Sequence, residues 1–379
     1  MLSPQQTTAD PALAGGLRML APDGTRHPCP ELDRWVADVT PEQLRLMHRD
    51  MVATRRIDRE GVALQRQGEL GLWAPAEGQE GVQIGTAHAL RRDDFAFVSY
   101  REHGVAYARG ARIVDFISIW RAEEHSSYNP FDIGVSNPQI IIGAQTLHAV
   151  GYAMGIQRDA LSAAPGARAD QASAAYFGDG ASSQGDVHEA MVFAASFAAP
   201  VVFVCSNNQW AISEPVALQS RTPIVQRAAG YGIPARRVDG NDPLVCLAAM
   251  REALHRARTG GGPGFIEAVT YRIGPHTTSD DPTRYRPAEE VDAWRRRDPI
   301  TRLEAHLRSM GELSDAQASD VAAFGDRVAA EMRAACLSMG TKAPLAIFDD
   351  VYAQPHSGVE REREEYRAYL SGFEDGEVL

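Results

Sequence analysis

Two apolar rhythms alternate along this chain. Positions 174–177 and 201–205 are short apolar runs with no polar face, which predicts strands buried on both sides of a sheet. Further strands are predicted at 94–98, 235–238 and 265–271. Between them the spacing turns helical. Leu44, Met47, Met51, Val52, Ile57 and Leu64 make one stripe over 41–67; Val187, Met191, Val192, Ala195 and Ala198 make another over 186–198. Helices are also predicted at 78–90, 113–121 and 243–258. Their boundaries carry cap chemistry: Thr40 before Pro41, Asp242 before Pro243, and Pro200 closing the helix before it. Strand–helix alternation of this kind predicts an α/β fold, a doubly wound, mostly parallel sheet flanked by helices.

The flanks follow other patterns. Residues 1–40, rich in Pro, Gly, Ala and Thr, predict a partly disordered N-terminal arm with a short hairpin at 20–24. Residues 41–335 form the α/β domain, helical and charged from 288 onward. Residues 336–379 predict a docking tail, with an apolar strand-like or helical patch at 346–348 and a charged helix at 359–369.

The central unit, 174–215, is strand, Gly178-Asp179-Gly180, helix, strand, Asn207-Asn208. Asp179 and Asn208 then stand at the carboxyl ends of neighbouring parallel strands, where open α/β sheets bind ligands. Carboxylate and carboxamide oxygens are hard ligands, suited to magnesium or calcium. The glycines beside Asp179 let backbone N–H groups approach an anion at the start of the next helix. The pattern fits a Mg²⁺–diphosphate clamp; the plainer alternative is a capping Asp and a turn-forming Asn pair.

Composition narrows the field. Hydrophobic residues make up 44% and charged ones 23% of 379 residues, enough for a sizeable core. A net charge of −12 speaks against nucleic acid. No run is long and apolar enough for a membrane span, no signal-peptide pattern opens the chain, and a cytoplasmic protein is expected. Cys29, Cys205, Cys246 and Cys336 are widely spaced and read as free thiols. Lys342 is the single lysine, which removes the P-loop and leaves a Schiff-base lysine only in an unsuitable place among turn formers.

Other segments add polar groups after strands. Ser99 to Gly104 follows the strand at 94–98, and Arg101 there suits a diphosphate. The stretch 123–138 is a long punctuated loop, with His125, Ser126 and Ser127 in it. Ala144, Gly151 and Gly155 leave a smooth helix face for close packing, and His148 reads as an interior histidine. Residues 272–286 are dense in ionisable groups, with His276 the one side chain near neutrality.

Gly-Asp-Gly, a helix, a strand and Asn-Asn resemble the thiamine-diphosphate motif, and residues 44–352 resemble the alpha subunit of the E1 component of 2-oxo acid dehydrogenase complexes. The resemblance is strongest over G-P-H-T-T-S-D-D-P-T-R-Y-R at 274–286. It implies the thiamine-diphosphate-binding PP module, with Mg²⁺ on Asp179, Asn208 and the Trp210 carbonyl. Trp210 replaces the family's usual Tyr, which a backbone ligand tolerates. It implies that Tyr100, Arg101, Gly178, Gly180, Ala181, Ser182 and Ile212 line the cofactor, with Ile140 and Ile142 near its aminopyrimidine. His276 matches the family's catalytic histidine, which acts in acyl transfer, and Thr277 matches a serine phosphorylated in mammalian members. Leu72 and Trp73 match positions near the substrate's acyl chain; plain core packing is the alternative.

Only one such module is present, so the resemblance implies a separate E1 beta chain that supplies the activating Glu, in an α₂β₂ heterotetramer. It also implies a lipoyl-bearing E2 acyltransferase as acceptor and a small 2-oxo acid as substrate. N-N-Q-W-A-I-S-E-P and T-Y-R-I-G-P-H-T-T-S-D-D resemble the branched-chain enzymes, while G-P-H and I-I-I-G-A-Q resemble members acting on pyruvate; oxidative decarboxylation of a branched-chain 2-oxo acid is expected, with pyruvate the alternative. Acetoin-cleaving relatives share the clamp, and a non-catalytic metal-binding scaffold is the alternative of another class.

Overall fold

The computed structural model describes residues 16–122, 128–164, 166, 170–349 and 351–373. Its strands are β1 (Phe95–Phe97), β2 (Ser173–Gly178), β3 (Val201–Asn207), β4 (Trp210–Ala211), β5 (Glu214–Pro215), β6 (Ala235–Asp239) and β7 (Gly264–Val269). Five of them form one parallel sheet in the order β1-β2-β3-β7-β6, while β4 and β5 make a small antiparallel ribbon. The chain thus steps outward from β1 to β3, jumps to the edge at β6 and returns to β7.

Burial on both faces explains the unbroken apolar runs. Ala174, Tyr176, Val202, Val204, Ile266 and Ala268 face one core, shared with helices Pro41–Arg66, Glu80–Ala87 and Pro243–Arg258. Ala175, Phe177, Phe203, Cys205 and Phe265 face the other, shared with helices Ala144–Ala163, Gly185–Ser196 and Val225–Gly230. Successive strand residues therefore pack against different helix layers, as the period of two requires. The fold is the doubly wound α/β sandwich expected from the alternation.

The caps form as read. Thr40 Oγ1 accepts from Gln43 N–H at 3.4 Å, with the reciprocal Gln43 bond at 3.0 Å. Asp242 Oδ1 accepts from Leu244 and Val245 N–H at 3.0 and 3.2 Å. The other oxygen of Asp242 has a second use: it accepts the Met19 and Leu20 N–H groups, both at 2.6 Å. That bond ties down the N-terminal segment, in which Leu20 bridges Arg26 and Leu17 bridges Val238 beside β6. Met19, Leu20 and Leu32 are fully buried, so these apolar residues belong to the core.

Element ends differ from the periodic reading by a few residues. The strand at 94–98 shrinks to β1, and the one at 265–271 ends at Val269. The loop at 123–138 holds a one-turn helix, Pro130–Ile133, capped by the Asn129 side chain. His125, Ser126 and Ser127 lie outside the described residues. The charged stretch from 288 resolves into helices Ala288–Arg295, Pro299–Ser309 and Asp315–Ser338.

The chain divides into two compact units, Met1–Leu337 and Ser338–Leu379. The second contains the 3₁₀ turn Pro344–Phe348 and helix Ser357–Leu370, joined by an Arg363–Asp349 ion pair of 2.8 Å.

Candidate functional site

The carboxyl ends of β2 and β3 open into a cavity of about 270 Å³. Gly178 pairs in register with Ser206, so Asp179 and Asn208 leave adjacent strands one residue apart. Both side chains are buried, and both line the cavity. Asp179 Oδ2 accepts from Gln219 Nε2 at 3.1 Å. Burial pushes this carboxyl up to about 6, against hydrogen bonds from its own N–H, Gln219 and the Asn208 N–H. Asn208 is oriented at both ends: its Nδ2 donates to Gln79 Oε1 at 3.1 Å and its Oδ1 accepts the Trp210 N–H at 3.2 Å.

The turn after Asn208 is wound tightly. Gln209 and Ile212 adopt positive φ, 75° and 56°, at non-glycine residues. The turn passes close to the Gly-Asp-Gly corner: a Cβ on Gly180 would lie 2.7 Å from the Ala211 Cβ. A Cβ on Gly178 would instead meet nothing within 4 Å, so the missing side chain leaves open space on the cavity wall.

Across the cavity stand two buried guanidiniums. Arg101 donates to the Pro75 carbonyl at 2.6 Å, the His276 carbonyl at 2.9 Å and His276 Nδ1 at 3.1 Å. Arg272 donates to the Trp210 and Ile212 carbonyls at 3.0 and 2.8 Å and to the Tyr285 hydroxyl at 3.0 Å. Neither forms an ion pair with a carboxylate among the described residues. Burial, with Arg101 nearby, pushes Arg272 down to about 10. His276 sits between them and is pushed down to about 3, first by burial and then by Arg101 and Arg272. Its ring is therefore neutral. Because Nδ1 accepts from Arg101, the ring proton resides on Nε2. Asp280 fixes the loop by accepting the His276 N–H at 2.7 Å and the Tyr285 hydroxyl at 2.5 Å.

Most of the residues singled out in the sequence meet here; His148, read as interior, is instead exposed on helix Ala144–Ala163, whose packed face is carried by Ala149, Val150 and Ala153. Tyr100, Arg101, Ile142, Gly178, Asp179, Gly180, Ala181, Asn208, Trp210, Ile212 and His276 line the one cavity. Ser182 is set back; its hydroxyl donates to the Asp179 carbonyl at 2.6 Å and accepts from Arg227 at 2.9 Å. Ile140 is not on the wall and is 63% exposed. Leu72 and Trp73 are not on the wall either. Trp73 is fully buried, donates to Asp58 at 2.9 Å and stacks on His103 at 4.5 Å. The Trp210 carbonyl accepts from Arg272.

Gln79, Glu102, Gln145, Ser206, Gln219 and Arg272 also line the cavity, without having been assigned a role from sequence. Arg272 could have been found, since it follows β7 as Asp179 follows β2. The glutamines carry no local pattern that would mark them. Gln79 Nε2, Gln145 Oε1 and Ser206 Oγ are buried without a hydrogen-bond partner. Two guanidiniums without a direct carboxylate hydrogen bond, three orphaned polar atoms and a carboxylate–carboxamide pair fit a metal-bound anion with a polar ring attached.

Comparison with known proteins places the chain in a family. The pattern of the dehydrogenase E1 component family matches residues 48–337. The chain belongs to that family. Its members are E1 components of 2-oxo acid dehydrogenases, which are oxidoreductases. The 3-methyl-2-oxobutanoate dehydrogenase subunit alpha of Mycobacterium tuberculosis is 46% identical over 356 residues, 94% of each chain. The pyruvate dehydrogenase E1 component subunit alpha of Bacillus subtilis is 40% identical over 286 residues, 75% of each. That of Acholeplasma laidlawii is 37% identical over 337 residues, covering 87% of this chain and 94% of its own. Among the described residues no helix is long and apolar enough to cross a membrane.

Proposed function

We propose that this chain is the alpha subunit of a thiamine-diphosphate-dependent E1 component that decarboxylates a branched-chain 2-oxo acid of the 3-methyl-2-oxobutanoate type and passes the acyl group to a lipoyl-bearing E2 protein. The observation that carries the reading is the convergence on one cavity of Asp179 and Asn208, at the ends of β2 and β3, with Arg101 and Arg272, two guanidiniums hydrogen-bonded to no carboxylate among the described residues. The 46% identity to a branched-chain subunit alpha, against 40% and 37% to the two pyruvate relatives, favours the branched-chain substrate.

Asp179, Asn208 and the Trp210 carbonyl would hold Mg²⁺, a hard cation suited to oxygen donors, which would supply positive charge for the cofactor's diphosphate. Bound there, thiamine diphosphate supplies a carbanion nucleophile and an electron sink for decarboxylation. The chain's own residues do the rest. Gly178 lets the backbone approach the diphosphate, and Arg101 offers it a planar fork of donors. Tyr100 packs edge-on to His276, with ring centroids 6.2 Å apart, and walls the cavity on that side. His276, neutral with its proton on Nε2, can donate a hydrogen bond through that N–H at the acyl-transfer step. Ile142 and Ile212 bring apolar surface to the mouth, where Ile140 and Ile141 are exposed. Such a rim suits a second chain, and we assign it to an E1 beta subunit that brings the activating Glu in an α₂β₂ assembly.

The test is reconstitution with a beta chain and a kcat/KM comparison of 3-methyl-2-oxobutanoate with pyruvate. A preference of about 10-fold or more for the branched acid is expected, the scale on which a few methyl groups discriminate. A preference for pyruvate would replace the substrate and keep the clamp. Absence of Mg²⁺-dependent heat with thiamine diphosphate, in the presence of the beta chain, would sink the enzymatic reading altogether.

A further inference from the structure

Asp58 lies on helix Pro41–Arg66, away from the cavity wall, yet its carboxylate is almost wholly buried. Its Oδ1 accepts from Trp73 Nε1 and the Ala76 N–H, both at 2.9 Å, and its Oδ2 accepts the Glu77 N–H at 2.9 Å. The next amide, Gly78 N–H, donates to Glu80 at 3.0 Å. Three successive peptide N–H groups thus point into carboxylates.

The carbonyls of this segment are used on the side of the site. The Ala74 carbonyl meets His103 Nε2 at 3.1 Å, and the Pro75 carbonyl accepts from Arg101 at 2.6 Å. The same segment grips the loop that carries His276. The Trp73 carbonyl accepts the Thr278 N–H at 2.9 Å, and the Glu77 carbonyl accepts the Ile273 N–H at 3.0 Å. Trp73 N–H donates to Thr278 Oγ1 at 3.1 Å. Arg101, held by Pro75, then holds both the carbonyl and Nδ1 of His276.

We propose that Asp58 is a positioning residue for the site: by gathering the Trp73, Ala76 and Glu77 N–H groups it aims the Pro75 carbonyl at Arg101 and so sets the orientation of His276. The inference rests on the functional reading only for the purpose the site serves. Burial pushes the Asp58 carboxyl up to about 6, against the donors from Trp73 and Ala76. A group that costly to bury is kept where its hydrogen bonds define a backbone path. Asp58 is a second role for the first helix, beyond its apolar stripe, and it explains why Trp73 sits in the core.

The experiment is imidazole nitrogen NMR on the full-length chain alone, comparing the native protein with Asp58→Asn. The amide keeps one acceptor and turns the other into a donor facing the Glu77 N–H. The His276 Nδ1 signal is expected to move downfield as the Arg101 hydrogen bond weakens, and His103 to shift with it. His48, near Glu304, and His306, bound to the Gly24 carbonyl, are controls that stay in place. Affinity for inorganic pyrophosphate should fall about tenfold, the scale typical of residues that support a ligand-binding group. An unmoved His276 signal in folded Asp58→Asn overturns the proposal. So does a shift of all four histidines together, because that reports general loosening. Should Asp58→Asn not fold, Trp73→Phe removes one of the three donors, and His276 should move less but in the same direction; no movement there also overturns it. These signals need neither cofactor nor beta chain, so the proposal and the assigned activity fail separately.

Discussion

Two clusters of buried arginine, both tied to the segment 73–80, solve the same electrostatic problem in opposite ways. Arg55 lies between two carboxylates, with Glu80 bound through both oxygens at 2.7 Å and Asp298 at 2.5 Å. Burial opposes its charge, but Glu80 and Asp298 outweigh burial and hold it above the usual arginine value. Arg101 and Arg272 are more deeply buried, yet their partners are carbonyls, a phenol and an imidazole. The first cluster is closed on itself. The second is hydrogen-bonded to no carboxylate among the described residues. Burial of an arginine therefore says little; the charge of its partners separates a structural cation from a binding one.

The sharpest test of this contrast is to remove the closed cation. Arg55→Met leaves Glu80 and Asp298 facing each other without compensation, and should cost about 3–5 kcal/mol in urea unfolding. A loss below about 1 kcal/mol would mean that the pair is not structural.

Next in size is Asp179→Asn in the open cluster. Mg²⁺-dependent binding of thiamine diphosphate should weaken about 100-fold by calorimetry, since an ionic ligand becomes neutral. The same carboxyl sets a pH dependence. Its value of about 6 lies above the ordinary aspartate value, so in the metal-free site it takes up a proton as pH falls through 6. Mg²⁺ must displace that proton. Metal affinity should be flat above pH 7 and fall toward tenfold per unit below 6, and Asp179→Asn should abolish the slope. His276, at about 3, does not titrate in this window.

Arg101→Met probes the open cluster from its cationic side. Pyrophosphate affinity should drop about 10- to 100-fold through the loss of charged hydrogen bonds. The unfolding free energy should fall by about 1–2 kcal/mol, less than for Arg55→Met, because relief of a buried cation offsets part of the cost of leaving the Pro75 and His276 carbonyls without a donor. A destabilisation as large as that of Arg55→Met would erase the distinction between the clusters. The smallest effect is expected for Trp210→Phe. It removes the 3.0 Å bond from Nε1 to Glu290 but keeps the backbone carbonyl, so Mg²⁺ affinity should change by about threefold or less and stability by about 1 kcal/mol.

Much of this was legible before any coordinates. The order of strands and helices, the caps at Thr40 and Asp242, and the placement of Asp179 and Asn208 beyond adjacent strands all follow from local spacing. Periodicity reports which face of an element is buried, and the parallel sheet then brings the ends of its strands together. His276 and Arg101 were legible because each follows a strand within a polar loop.

What sequence could not decide is who pairs with whom. Nothing local says that Arg55 finds Glu80 and Asp298 while Arg272, more deeply buried, finds carbonyls. Nothing local turns Trp73 toward Asp58, carries Gln79, Gln145 and Gln219 to the cavity wall, or ties residues 19 and 20 to the Asp242 carboxylate. Those outcomes depend on contacts between residues far apart in the chain, each set by the burial and charge of a neighbour that only the packed layers supply. The chain's own pattern determined the layered scaffold and the placement of Asp179 and Asn208 at its centre; tertiary packing alone determined which arginines meet carboxylates and which meet carbonyls.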